Sequence, residues 1–167
     1  KQLISGIHYN FSFDEDIIKK LFKNTNTKED YKTFKDNLYL KVTRNYLRYR
    51  WIIVYLLGAA PVIHESFLNG CSCKLKQISE DGYTVDGAVS HRNGECGYRN
   101  KEELYPNYDT VEDYVESINK YVNDGVIDSY KELYSQVRLK AKNPKNFLNS
   151  LLEDGISYLE YRSIDIN

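Results

Sequence analysis

Two strand-like segments lie at opposite ends of this chain, one at residues 2–11 and the other at residues 156–166. Successive side chains of a strand point to opposite faces of a sheet. The first segment therefore has one largely apolar face, which we expect to contact the core, and one face that carries Gln2, His8 and Asn10. We expect the two segments to lie side by side in a sheet that lines a polar cleft.

Capping signals predict helices between these two segments. Ser12 and Glu15 fit a capping box, and we expect this first helix to end near Lys23. A second, long helix is predicted from Thr27 to a stop at Gly58. Its apolar residues recur at spacings of three and four: Tyr31, Phe34, Leu38, Val42, Tyr46, Tyr49, Ile53 and Leu56.

Two shorter helices are predicted in the second half of the chain. Thr110 caps a helix that ends at Gly125, and Pro144 opens a short helix that ends at Gly155. With strands at both ends and helices between them, the predicted class is α+β. Residues 1–167 show no internal repeat or linker, so we expect them to be part of one domain.

Composition and charge exclude several classes of protein. The formal net charge of −1 argues against a nucleic-acid partner, because a phosphate-binding face usually leaves a basic excess. Cys71, Cys73 and Cys96 are too few for a disulfide scaffold, so we expect reduced thiols in the cytoplasm. The most apolar run, residues 51–63, is too short to span a bilayer and is predicted to be a buried helix, so no membrane partner is expected. The chain begins at Lys1 without a signal peptide, and we expect the natural protein to be longer.

A charged pair marks the second terminal segment. Glu160 and Arg162 are two positions apart and therefore point to the same face of a strand. The apolar residues Leu159 and Ile164 predict a central strand, where such charges are costly to bury without a ligand, a metal or each other. A structural ion pair is one interpretation. In the other, His8 lies on the adjacent strand and a divalent cation binds between His8 and Glu160, with further oxygens completing its shell.

Two further groups are candidates for anion binding. Arg92 lies in a Gly-containing loop with Tyr98, where a planar guanidinium suits a carboxylate and the ring offers a flat wall. The second group contains Tyr134 and two basic residues at alternate positions, Arg138 and Lys140. The basic side chains face either phosphates or water. Exposure to solvent is the alternative for Arg92. The residues alone therefore indicate a cleft protein with candidate anion-binding arginines and one candidate metal site.

Several segments carry a family resemblance: residues 2–12, residues 44–46 with 58–61, Arg92 with residues 97–98, residues 132–134 with Arg138, and residues 155–167. Together they resemble the glutamate–cysteine ligase family of the bacterial type. They occur in the family's order and span almost the whole chain. The first and last segments are long enough to be specific.

This resemblance implies a glutamine-synthetase-like sheet with flanking helices, of which the chain forms the central part. It implies ATP-dependent ligation of the γ-carboxylate of L-glutamate to L-cysteine through a γ-glutamyl phosphate, the first step of glutathione biosynthesis. ATP is the co-substrate, and the metal is Mg²⁺, for which Mn²⁺ can substitute. The implied roles are catalysis by Arg162 and Glu160, metal binding by His8 and Glu160, amino-acid binding by Gln2, Arg92, Tyr98 and Tyr134, and nucleotide binding by Ile4, Asn10 and Arg138.

Two alternatives to this function stay open. One is a related carboxylate–amine ligase that joins glutamate to another amine, and the other is a non-catalytic module that binds an amino acid or a nucleotide. In the family, further metal-binding carboxylates come from strands before the position of Lys1, so we expect this segment alone to be inactive. The short stretch between Tyr98 and Tyr134 resembles fused proteins in which a glutathione synthetase domain follows.

Overall fold

The computed structural model describes residues 6–68, 74–95, 97, 100 and 102–166. The predicted site residues and cysteines that lie outside the described residues are Gln2, Ile4, Cys71, Cys73, Cys96 and Tyr98. The helices are α1 (Glu15–Asn24), α2 (Tyr31–Leu57), α3 (Val111–Asn123) and α4 (Phe147–Asp154). The strands are β1 (Gly6–Phe11), β2 (Ile63–His64), β3 (Lys76–Gln77), β4 (Gly82–Thr84), β5 (Val137–Lys140) and β6 (Tyr158–Asp165).

The chain divides into two compact units. The first comprises Lys1–His8, Tyr49–Arg99 and Arg162–Asn167, and the second comprises Tyr9–Arg48 and Asn100–Tyr161. Strands β1 and β6 each contribute residues to both units. The assignment of the whole chain to a single domain stays a prediction.

The two terminal segments are neighbours in one three-stranded sheet, whose order is β1-β6-β5. This order confirms the predicted side-by-side arrangement and the central position of the strand that carries Glu160 and Arg162. Strand β6 pairs antiparallel with β5, and Arg138 lies directly opposite Glu160. A smaller antiparallel sheet in the first unit has the order β2-β4-β3. The observed architecture is thus α+β with small sheets.

The core of the second unit contains the apolar faces of α3, α4, β5 and β6. Tyr114, Ile118, Leu139, Leu151 and Leu159 all have 0% exposure. Each buried leucine contributes about 2 kcal/mol of hydrophobic stabilisation. Because side chains alternate along a strand, burial of Leu139 and Leu159 places their polar neighbours on the opposite face of the sheet.

The start of α3 and the C-terminal ends of α3 and α4 confirm the predicted capping residues, whereas α4 begins at Phe147, after a 3₁₀ turn at Pro144–Asn146. The Thr110 hydroxyl oxygen accepts a hydrogen bond from the backbone N–H of Asp113 at 3.0 Å, which satisfies a free amide at the start of α3. Gly125 follows α3 with φ of +69° and Gly155 follows α4 with φ of +78°. Glycine adopts this left-handed backbone without a steric penalty, so both helices end where the sequence predicts.

The first two helices begin later than predicted. The N-cap of α1 is Asp14 and not Ser12, since an Asp14 carboxylate oxygen accepts from the backbone N–H groups of Asp16 at 2.9 Å and Ile17 at 3.2 Å. Similarly, α2 begins after Asp30 and not at Thr27, because Asp30 accepts from the N–H of Thr33 at 3.0 Å. In both cases the helix start is capped by an aspartate carboxylate, which the positive end of the helix dipole favours, and not by the predicted hydroxyl residue.

Burial of the apolar run at residues 51–63 is a wrong prediction. Trp51, Tyr55 and Leu56 are 63%, 67% and 69% exposed, whereas the fully buried part of α2 lies earlier, at Tyr39 and Leu40. The apolar side chains near the end of α2 point in several directions around the helix, so a single packed face cannot cover them. Among the described residues, no helix combines the length and hydropathy needed to cross a bilayer.

The predicted core face of the first strand is also wrong within the described residues. Ile7 and Tyr9 are 46% and 55% exposed. Strand β1 lies at one edge of the three-stranded sheet, and a neighbouring strand pairs with it on one side only. Tyr9 nevertheless stacks on Tyr161, with ring centroids 6.3 Å apart, so this face carries an aromatic contact and not a closed core.

A buried carboxylate joins α2 to the turn before β6. Asp36 is 4% exposed, and its Oδ1 accepts from the backbone N–H of Ile156 at 2.7 Å while Lys32 Nζ lies 3.2 Å from Oδ2. A Cβ atom at Gly155 would contact the same carboxylate, so this turn requires glycine for space as well as for φ. Burial raises the pKa of Asp36, although the Ile156 amide and Lys32 oppose the increase.

The raised pKa of Asp36 predicts a pH dependence of stability. Between the ordinary carboxyl pKa of 3.8 and the raised pKa, the folded state binds more protons than the unfolded state. The contribution of Asp36 to the free energy of unfolding therefore falls as the pH rises through this window. We expect the free energy of unfolding of Asp36→Asn, minus that of the wild type, to increase with pH in urea titrations. Asp16→Asn, at an exposed carboxylate, is the control, and a difference that stays constant or decreases contradicts the assignment.

Candidate functional site

An imidazole and a guanidinium meet on neighbouring strands of the first unit. Arg162 Nε on β6 donates to His8 Nε2 on β1 at 3.5 Å, the outer limit of a hydrogen bond. The contact requires a His8 Nε2 without a hydrogen, because an N–H at that position would face the guanidinium with a second donor. His8 is exposed and Arg162 is half-buried, so the pair lies at the surface of the sheet.

Arg92 is buried against the same part of the sheet. It is 6% exposed, and its Nη2 donates to the backbone carbonyl oxygen of Arg162 at 3.2 Å. A Cβ atom at Gly6 would overlap the Arg92 guanidinium, so glycine in β1 leaves room for this side chain. The solvent-facing alternative for Arg92 is therefore wrong. Three of the predicted site residues, His8, Arg92 and Arg162, lie together in the first unit.

In the second unit, Glu160 is held by a cation from the adjacent strand. Lys140 Nζ lies 3.1 Å from Glu160 Oε2, and the two side chains are only 24% and 13% exposed. Arg138 lies opposite Glu160 in the β5–β6 register, but its Nη2 donates to the carbonyl oxygens of Leu133 at 2.6 Å and Lys131 at 3.2 Å. Arg138 thus ties a 3₁₀ turn to β5, and Glu160 belongs to an ion pair across the sheet.

The two remaining described candidates, Tyr134 and Asn10, have different surroundings in the second unit. The Tyr134 backbone N–H donates to Asn100 Oδ1 at 2.7 Å, which fixes the chain before β5. Asn10 is exposed and borders a shallow depression. The other residues lining that depression are Phe11, Ser12, Ser157 and Tyr158.

The opposite face of β6 carries an aromatic group. Tyr161 packs against Tyr46, with ring centroids 4.4 Å apart, and stacks on Tyr9. Burial raises the pKa of Tyr161 to about 12, and the neighbouring Tyr46 and Tyr9 add to the increase. The phenol therefore stays protonated at neutral pH, which excludes Tyr161 as a general base under those conditions.

The predicted metal ligands Glu160 and His8 have side chains of the types that can bind a divalent cation. Mg²⁺ prefers carboxylate oxygens and water in octahedral geometry, and an imidazole is a minority ligand. Glu160 supplies the carboxylate and His8 the imidazole. Within the described ranges, no group of three or more His, Cys, Asp or Glu side chains is placed to hold a metal ion. A metal site formed by Glu160 and His8 therefore stays a prediction.

Two features of the site escaped the sequence prediction. Lys140 was recognised only as a basic residue at an alternate position, because pairing with Glu160 depends on the β5–β6 register. Asp165 lies in the predicted last strand but not among the predicted site residues, yet its carboxylate is 4% exposed and accepts hydrogen bonds from the Ser90 hydroxyl and the Ala59 backbone N–H. The available signal was the period-two pattern, which puts Asp165 on the face of β6 that also carries buried Leu159.

Comparison of the chain with known proteins identifies its family. The chain matches the model of the glutamate–cysteine ligase family over residues 1–130 and 119–167. It is 43% identical over 167 residues to the glutathione biosynthesis bifunctional protein GshAB of Clostridium perfringens, covering 100% of this chain and 22% of that protein. GshAB of Desulfotalea psychrophila is 36% identical over 168 residues, with coverage of 100% and 20%. The chain thus spans about a fifth of the length of these curated relatives.

Solved structures share the α+β arrangement. A bifunctional glutathione synthetase from Pasteurella multocida aligns with a TM-score of 0.76 and 36% identity, over 96% of this chain and 19% of that one. The glutamate–cysteine ligase of Francisella tularensis, solved in complex with AMP, aligns with a TM-score of 0.80 and 26% identity, over 99% of this chain and 37% of that one. With the family model matched from end to end, the chain belongs to the glutamate–cysteine ligase family.

Proposed function

We propose that this chain is the central part of the catalytic domain of a cytoplasmic, ATP-dependent glutamate–cysteine ligase. The proposed reaction joins the γ-carboxylate of L-glutamate to the amine of L-cysteine through a γ-glutamyl phosphate, as the first step of glutathione biosynthesis. The observation that carries the proposal is the contact of Arg162 with His8 on neighbouring strands, with Arg92 bonded to the Arg162 backbone. In this proposal the sheet is glutamine-synthetase-like and lines the active site.

Phosphoryl transfer to a carboxylate requires positioned cations more than a covalent nucleophile. Arg162 would stabilise the charge that spreads over the transferring phosphoryl group, and its contact with His8 restricts the guanidinium to one face of the sheet. Glu160 and His8 would contribute two ligands to magnesium. When bound, Mg²⁺ supplies the positive charge that neutralises the phosphate oxygens of ATP.

Recognition of the amino acids requires a different kind of group. Arg92 would bind a substrate carboxylate through its planar guanidinium, held in a buried position beside β6. By family resemblance, Gln2, Tyr98 and Tyr134 would form walls of the amino-acid pocket, and Ile4, Asn10 and Arg138 would lie towards the nucleotide. For Arg138, the hydrogen bonds to two backbone carbonyl oxygens favour a structural contribution on the nucleotide side of the site.

One observation favours the non-catalytic binding module as a second candidate. The Glu160 carboxylate already pairs with Lys140, as in a structural ion pair. A catalytic role requires magnesium to compete with that ammonium group for the carboxylate. The alternative amine substrate has no comparable observation in its favour, and substrate tests separate it from cysteine.

The first test is substrate-dependent phosphate release by a full-length protein that contains this chain. We expect release with glutamate, ATP and Mg²⁺ to depend on cysteine, because the amine must displace phosphate from the acyl phosphate. Other amino acids in place of cysteine serve as the control. Release with another amine but not with cysteine identifies a different ligase, and no release with any amine supports the binding module.

The second test concerns Arg162. Arg162→Ala in the full-length protein should lower kcat at least about 100-fold, since losing one positioned transition-state donor costs about 3 kcal/mol. Arg162→Lys should recover only part of the activity, because an ammonium lacks the planar guanidinium. Arg48→Ala, at an exposed arginine of α2, is the matched control. Turnover within twofold of wild type in a folded Arg162→Ala protein would disprove the phosphoryl role.

The third test concerns the metal. Glu160→Gln removes a charged oxygen ligand and should raise the Mg²⁺ concentration for half-maximal activity by about tenfold or more. Glu153→Gln, at an exposed position of α4, should leave the Mg²⁺ dependence unchanged. An unchanged Mg²⁺ requirement in Glu160→Gln would limit Glu160 to its ion pair with Lys140.

A further inference from the structure

A buried carboxylate lies at the end of β6, in the first unit. Asp165 is 4% exposed. Its Oδ1 accepts from the Ser90 hydroxyl at 2.9 Å and from Asn93 Nδ2 at 3.4 Å, and its Oδ2 accepts from the backbone N–H of Ala59 at 2.9 Å. A carboxylate can be buried at tolerable cost only when such donors replace water, so these three contacts are needed together.

Two of the three donors to Asp165 lie on either side of Arg92 in the sequence. Ser90 precedes it by two positions and Asn93 follows it directly. The Ser90 hydroxyl oxygen also accepts from the Asn93 backbone N–H at 3.2 Å and from Asn93 Nδ2 at 2.8 Å, and Asn93 Nδ2 donates to the Ser163 carbonyl oxygen at 2.9 Å. The loop is thereby fastened to the last residues of β6.

Further contacts fix the loop backbone. The His91 N–H donates to the carbonyl oxygen of Ala60 at 2.7 Å. At Gly97, a Cβ atom would overlap the carbonyl oxygen of Arg92, so the loop closes too tightly for another side chain there. Because the backbone at Arg92 is held in this way, its guanidinium reaches the carbonyl oxygen of Arg162.

We propose that Asp165 is a positioning residue for substrate binding, which acts by holding the Arg92 loop against β6 so that Arg92 presents its guanidinium to a substrate carboxylate. The inference rests on the proposed ligase function and deepens it. Only a carboxylate supplies two acceptor oxygens here. In Asp165→Asn, the side-chain NH₂ group would replace one of the two acceptor oxygens. It would then face the Ala59 N–H or the Ser90 hydroxyl, and the hydrogen bond to that group would be lost.

The kinetic test uses the full-length protein. Asp165→Asn should raise the KM of the amino acid bound by Arg92, glutamate or cysteine, by about tenfold, since a buried donor loses its partner, and should lower kcat much less. Arg92→Lys should raise the same KM. Adding Asp165→Asn to Arg92→Lys should change that KM little further, because residues that act through one group are not additive. Asp86→Asn, at an exposed carboxylate of the same unit, is the control.

A second readout does not depend on activity. Amide hydrogen exchange at His91 and Asn93 should accelerate in Asp165→Asn, while exchange in α3 should stay at the wild-type rate. Arg92→Lys should leave the exchange at these two amides unchanged. If Asp165→Asn does not fold, Ser90→Ala removes one donor to the carboxylate and should shift KM and exchange in the same directions by smaller amounts.

The outcomes separate the two proposals. Unchanged exchange at His91 and Asn93 overturns the positioning role, and so does an unchanged KM in an active Asp165→Asn enzyme. Fully additive effects in the double variant also overturn it, because Asp165 would then act independently of Arg92. If the wild-type protein has no ligase activity, the proposed function fails, and the exchange result alone decides whether Asp165 holds the loop.

Discussion

Strand β6 pairs with a neighbouring strand along each of its edges. Its side chains alternate between the two faces of the sheet. Leu159 and Asp165 occupy the buried face, whereas Glu160 and Arg162 occupy the other. Because β6 is paired along both edges, charged side chains on it can find partners on either adjacent strand. The observed contacts are of this kind: Lys140 on β5 pairs with Glu160, and His8 on β1 contacts Arg162.

Local signals in the sequence predict much of the fold. Thr110 satisfies one free amide at the start of α3, and Gly155 supplies a positive φ, so each needs only its chain neighbours to act. Period-two alternation is also local, and it correctly placed Glu160 and Arg162 on the same face of a central strand. These features could be read from the chain because the interactions that fix them span a few residues.

Other features depend on residues that are distant in sequence. The donors to Asp165 at Ala59 and Ser90 are separated from it by 106 and 75 positions, so alternation could predict its face but not its partners. The Lys140–Glu160 pair depends on the strand register. The prediction that the end of α2 is buried was wrong for a related reason. An apolar composition favours burial, but Trp51 is buried only if another part of the protein packs against it, and composition does not identify such a neighbour.

Buried and exposed charges have different consequences in this molecule. Desolvation of Asp165 is offset only when all its donors are in place, so the loop around Arg92 and the end of β6 are expected to form together. The Arg162–His8 contact lies at the outer limit of a hydrogen bond and involves a half-buried side chain, so it is weaker than the contacts of Asp165. Electrostatic catalysis requires cations that are already oriented before charge develops. In the proposed site, Arg92 meets that requirement most fully, because its loop is held by the buried Asp165, whereas Arg162 is oriented by the longer contact with His8.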